Sequence, residues 1–204
     1  MKTCSQFKKE IINKCCQALA DVGFTRYRKY DVDLPFDDNF HCWAGLNTGL
    51  YSDHLEISPF IGIHVVRLAK LASLGSLKYD RATATYAVHL GTLDCAKDET
   101  AFFFRPEWSE RLLASEARRL AQLYASCGMG FARSIASYDA LLPLLEERVP
   151  WLGGYPQRVA ACLYLMGQKD RAREFTQAFL AAEPAYFERF ARPFLNMLSA
   201  EAGD

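Results

Sequence analysis

The chain has 204 residues, enough to bury a core in one large domain or two small ones. Half of the residues are apolar and 24% are charged, which excludes a disordered, collagen-like or coiled-coil chain. Its 24 Lys and Arg balance its 24 Asp and Glu, and Arg118 with Arg119 and Arg26 with Arg28 and Lys29 form local groups, not a basic stripe, so nucleic acid is not an expected partner.

Met1 to Glu10 carries Lys residues with no apolar run of signal-peptide type behind them. Phe7, Ile11, Cys15, Leu19 and Val22 then recur every three to four residues and predict a helix, with Gly23 at the position of a left-handed cap. From Phe24 to Tyr30 the period changes to alternation, as in a half-exposed strand. Asp31 to Asp38 holds Pro35 and four aspartates and reads as a loop. Phe40 to Leu50 and His54 to Ile63 read as two strands, joined through Asn47-Thr48-Gly49 and Ser52-Asp53. A short amphipathic helix follows from about His64 to Leu74 and ends at Gly75, then a strand over Thr83 to Leu90 and a short one over Ala101 to Phe104.

From Pro106 onward the period is helical, with Trp108, Leu112, Leu113, Ala117, Leu120 and Tyr124 on one face and Pro106 in the first turn. Gly128 and Gly130 interrupt it. Further helices are predicted over Ser137 to Arg148, Pro156 to Met166, Asp170 to Ala182 and Pro184 to Leu198. The stretch from Gly167 to Ala172, with Leu180 and Pro184, looks like the second helix of a tetratricopeptide hairpin; it occurs once, whereas a solenoid needs about three repeats. The expected fold is α+β: a module of one helix and an antiparallel sheet over residues 1–105, then an all-helical part over 106–204 packed against it without a linker.

The cysteines are Cys4, Cys15, Cys16, Cys42, Cys95, Cys127 and Cys162, an odd set with no framework spacing, which suits a reducing compartment. No stretch approaches the roughly 18 uninterrupted apolar residues of a membrane span. The expected location is the cytoplasm, with no membrane partner.

Candidate chemistry is sparse. His54 and Glu56 share a strand face and could begin a metal site with His41, His64 or His89, yet no HExxH or paired CxxC accompanies them. Cys95, beside Asp94 and Lys97, is the thiol best placed for exposure, but nothing flanking it marks an activated nucleophile; Cys42 follows His41 directly, so their side chains diverge on a strand. The glycines fit neither GxGxxG nor GxxxxGK[ST]. Neither a cofactor nor enzyme action is expected, and a small enzyme built on Cys95 or on His54 and Glu56 is the weaker reading.

Recognition by surface is the stronger one. Asp31, Asp33, Asp37 and Asp38 crowd eight residues that also hold Phe36, and no Lys or Arg offsets them. A solvated loop is the plain reading; the functional one is a patch that steers a basic partner, with Phe36 as an apolar anchor and Asp53 at the neighbouring turn.

The first hundred residues resemble a bacterial family of small proteins found among polymorphic-toxin immunity proteins. The resemblance rests on the leading helix, Gly23-Phe24-Thr25-Arg26, Phe40 to Asn47, Leu55 to Ile63, and Tyr86 to Gly91. It implies a helix followed by an antiparallel sheet, no catalytic residue, and a protein that binds a cognate toxin and blocks its active site or substrate cleft. An adaptor or chaperone for a secreted effector, binding through the helical hairpin, is the alternative.

Overall fold

The computed structural model describes residues 3–26, 31–75, 83–97 and 99–201; of Asp31 only the backbone is described. The chain divides into two compact units, each built from two stretches: residues 1–63 with 87–134, and residues 64–86 with 135–204. This division differs from the expected cut near residue 105. The sheet recruits residues from beyond its first strands, and no local pattern announces such long-range pairing.

Unit 1 opens on α1 (Cys4–Asp21). Thr3 caps it: the Gln6 N–H donates to the Thr3 hydroxyl and the Thr3 N–H to the Gln6 side chain, a reciprocal capping box. The predicted stripe is buried, with Phe7, Ile11, Cys15 and Leu19 in the core, and Gly23 ends the helix region at φ 98°. Strands β1 (Thr25–Arg26), β2 (Asp31–Pro35), β3 (Phe40–Leu50), β4 (Leu55–Val65), β5 (Tyr86–His89) and β6 (Phe102–Phe104) form a six-stranded antiparallel sheet. Its order is β1-β2-β3-β4-β5, with β6 also on β4, Leu55 opposite Phe104 and Ile57 opposite Phe102. The expected extension of β1 to Tyr30 lies outside the described residues.

The predicted loop from Asp31 to Asp38 is a strand over most of its length. Val32 pairs with Ala44 and Leu34 with Cys42, and Val32, Cys42 and Ala44 are buried. Alternation outweighs the acids here, and Pro35 sits at the strand's last position, where its missing donor is tolerated. The chain then turns through Asp37, Asp38 and Asn39, with the Phe36 N–H donating to the Phe40 carbonyl at 2.9 Å. Asn47 to Gly49 belong to β3, and the β3–β4 turn is Ser52-Asp53 alone, closed by the Tyr51 N–H on the His54 carbonyl.

Helix α3 (Glu110–Leu123) begins after the Ser109 cap, so Pro106 precedes it instead of opening it. It passes through a π-helical turn, Tyr124–Gly128, into α4 (Met129–Ser134). Tyr124 is wholly buried there, and its hydroxyl donates to the Gly45 carbonyl at 2.9 Å. Cys127, in the same turn, is disulfide-bonded to Cys95 with Cα atoms 5.9 Å apart. Cys95 is therefore not a free thiol, contrary to the expectation from cysteine spacing.

Unit 2 holds α2 (Val66–Ala72), α5 (Tyr138–Glu147), α6 (Tyr155–Leu165), α7 (Lys169–Ala182) and α8 (Pro184–Ala200). Small residues, Ala160, Ala161, Ala172 and Ala191, are fully buried and let these helices approach. Phe187, Phe190 and Phe194 run in contact down α8, with ring centroids 5.3 Å and 5.1 Å apart. Gly167, at φ 76°, turns α6 into α7, and Pro184 opens α8, as the sequence predicts. No described helix is long and apolar enough to cross a membrane.

Candidate functional site

The expected acidic patch is not one surface. Asp33 is buried in β2, its Oδ2 3.1 Å from His41 Nδ1, an internal pairing in the sheet. Phe36 is half-buried against the core, with the Arg133 guanidinium 4.6 Å above its ring, so it is committed as packing and not free as an anchor. Asp37 closes the β2–β3 turn: its Oδ1 accepts from the Asn39 and Phe40 N–H groups, each at 2.7 Å. These two bonds hold its carboxyl below the usual carboxylate range. Asp38 is exposed and has no hydrogen bond or ion pair among the described residues. The side chain of Asp31 lies outside the described residues.

Asp53 stands at the other end of β3. Eleven residues of strand separate it from the Asp37–Asp38 turn, a span of roughly 35 Å at 3.3 Å per residue. At that end unit 1 opens a cleft of about 400 Å³. Cys4, Phe7 and Glu10 of α1 form one wall; Leu50, Tyr51 and His54 of the β3–β4 turn form another; Pro106, Trp108 and Glu110 close it at the start of α3.

The turn fixes the aromatic rim. Asp53 Oδ1 accepts from His54 Nδ1–H at 2.7 Å, which keeps the Asp53 carboxyl below its ordinary range and sets the orientation of the ring. That ring stacks on Tyr51, with centroids 4.6 Å apart and planes at 15°, and meets Phe103 edge-on at 5.4 Å. Leu50, Tyr51 and Phe103 nonetheless remain 43%, 52% and 45% exposed, large apolar side chains gathered at one end of the sheet. Lys14 bridges Glu10 at 3.8 Å and also pairs with Glu110. Glu10 and Glu110 are the charged side chains lining the cleft among the described residues, and one ammonium, Lys14, serves both.

Little here supports reaction chemistry. Among the described residues no group of three or more His, Cys, Asp and Glu comes together to hold a metal ion. His54 is bonded to Asp53, and the Glu56 carboxylate accepts from the Ser58 hydroxyl at 3.3 Å, so the expected His54 and Glu56 pair is divided between other partners. Burial pushes the thiols of Cys42 and Cys162 up to about 12 and that of Cys15 higher still, which keeps them protonated and unreactive.

Of the expected residues His54 lines this cleft, and Asp53 holds it from the adjoining turn position. Tyr51, Phe103 and Trp108 were not singled out from the sequence. One signal was present: three consecutive phenylalanines in a strand cannot all face the core, and the middle one, Phe103, points out between the buried Phe102 and Phe104. A scan against protein-family models gives no match to this chain, and searches of curated proteins and of solved structures give none either.

Proposed function

We propose that this chain is a cytoplasmic binding protein that neutralises a cognate bacterial toxin by occluding it, with the cleft of unit 1 as the contact. The observation that carries the reading is the exposed trio of Leu50 and Tyr51, which line the cleft, and Phe103, which packs on its His54, with Glu10 and Glu110 as the charged lining. Exposed aromatics over a pocket, ringed by charge, are what interface hot spots are made of. The complementary group is a basic or aromatic side chain on a positively charged toxin surface, entering beside Glu10, Glu110 and Asp53.

The adaptor reading is less well served. Its groove would lie along Phe175 and Phe179 of the tetratricopeptide-like hairpin, but Phe179 packs at 4.8 Å against Phe187 of α8, so that face is already filled. Within this proposal the hairpin is scaffold.

The test is co-expression with the toxin encoded beside the gene, followed by kinetics on the purified pair. Wild type should restore growth and form a stable complex. Tyr51→Ala and Phe103→Ala should each raise Kd about tenfold or more through faster dissociation. Asp53→Lys should slow association, whereas Asp38→Lys, at the far end of β3, should leave dissociation unchanged. Absence of rescue together with absence of a complex ends the toxin reading; a complex indifferent to Tyr51 and Phe103 places the contact elsewhere.

A further inference from the structure

Unit 2 contains a cavity of about 380 Å³ between α2, the segment around Thr85, the start of α6, and α8. Its construction is specific. Gly75, at φ 73°, brings the end of α2 so close to α8 that a Cβ there would lie 1.9 Å from the Arg189 carbonyl oxygen. The segment before β5 is fixed by His64 Nδ1, 2.9 Å from the Thr83 carbonyl, and by the Val65 N–H, which donates to the Thr85 hydroxyl at 2.9 Å. On the α6 side the Gly154 N–H donates to the Tyr186 hydroxyl at 2.8 Å.

Two guanidiniums line this space, and among the described residues no Asp or Glu does. Arg158 is half-buried, and desolvation lowers its pKa from the ordinary arginine value. Its partners are neutral: the Thr85 carbonyl at 3.0 Å and the Tyr155 side chain. Arg189 has no hydrogen bond or ion pair among the described residues. Desolvating a cation with no counter-charge among the described residues is costly, and an anion in the cavity would offset that cost. The first turn of α6, which supplies Gly154, Gln157 and Arg158, adds the positive end of an eleven-residue helix to the same wall. Ala69, Ala72 and Phe190 add apolar lining.

We infer that this cavity binds a small dianionic phosphate monoester, its phosphate on Arg158 and Arg189 and its organic part against Phe190. A phosphate monoester carries a charge close to −2 at neutral pH, which matches two arginines with no counter-charge among the described residues, and the planar fork of each can donate to two phosphate oxygens. The volume admits a metabolite-sized molecule and not a folded partner. This site is independent of the cleft in unit 1.

Phenyl phosphate and benzoate, titrated by calorimetry into the full chain, test it, because they share a ring and differ in the anion. Phenyl phosphate should bind at one site, at least about tenfold tighter than benzoate, with an affinity that weakens as salt rises. Arg189→Gln, an exposed position, should leave the melting temperature nearly unchanged and reduce affinity about tenfold or more. Arg158→Lys keeps the charge, loses the fork, and should weaken binding similarly; if that variant fails to fold, Arg189→Gln decides. No saturable binding of phenyl phosphate, equal binding of benzoate, or an unchanged affinity in Arg189→Gln would each overturn the assignment.

Discussion

Around the cleft of unit 1 the charged groups answer one another: Asp53 binds His54, and Lys14 serves Glu10 and Glu110. Around the cavity of unit 2 they do not, because Arg158 and Arg189 line a space to which no described residue brings a carboxylate. The aromatic side chains reverse this contrast. Tyr51 and Phe103 are half open to solvent, whereas Phe187 and Phe194 of α8 are fully buried. An opening whose charged groups are largely paired within the fold offers mainly shape and apolar area, the terms that hold a protein surface. A cavity with uncompensated charge offers electrostatic work to a small ion. One chain thus presents two recognition chemistries, and the units can be perturbed separately to show it.

The strongest perturbation is Gly75→Ala. The added methyl group would meet the Arg189 carbonyl at 1.9 Å, in a backbone conformation that side chains disfavour. The expected loss is about 3 kcal/mol or more, from steric overlap together with left-handed strain. A urea titration should show a clearly lower midpoint, and phenyl phosphate binding should fall with it, since α2 and α8 both line the cavity. A midpoint equal to that of wild type would mean that the close approach of α2 to α8 does not exist.

Tyr124→Phe probes unit 1 with a smaller effect. The ring remains, but the Gly45 carbonyl loses its buried donor. That loss is worth about 1–2 kcal/mol. The urea midpoint should drop accordingly, while Tyr124→Leu, which also empties ring volume, should fall further.

These positions differ in how readily sequence reveals them. The helices were legible because burial follows a 3.6-residue period: Phe7, Ile11, Cys15 and Leu19 are spaced as they are buried. Gly23, Gly75 and Gly167 were legible as helix stops, and all three have positive φ. Strand β2 was misread because four aspartates and Pro35 looked like turn chemistry, although Val32 and Leu34 kept the alternation of a strand. The Cys95–Cys127 bond was not legible, since 32 residues separate the partners and only the π-helical turn after α3 brings Cys127 to Cys95. Neither opening could be assembled from sequence. The cleft joins residues 4–10, 50–54 and 106–113, and the cavity joins residues 69–75, 83–85, 154–158 and 186–190. Each is made by long-range packing, which leaves no periodic trace.

The smallest effect belongs to Asp37, the residue that moved furthest from its expected role. Its carboxylate accepts from two backbone N–H groups at the β2–β3 turn, and its folded pKa lies below the ordinary value of 3.8. A carboxyl whose pKa is lower when folded than when unfolded stabilises the fold above the unfolded value. That contribution disappears as pH falls through the folded one, so the window lies below about pH 4. The site is at the surface, and solvent screening keeps the effect below about 1 kcal/mol. Asp37→Asn retains an acceptor for the turn but not the charge, so it should sit between wild type and Asp37→Ala at pH 7. As pH falls through the folded pKa the wild type should lose its advantage over Asp37→Asn, whereas the gap between Asp37→Asn and Asp37→Ala, neither of which titrates, should stay constant. Chemical denaturation at pH 7 and pH 3 measures this directly. A gap between wild type and Asp37→Ala that is as wide at pH 3 as at pH 7 would assign the role to turn geometry alone. A gap that narrows makes Asp37 a charge-dependent clasp of the hairpin, which leaves Asp38 as the one carboxylate of that turn available to a partner.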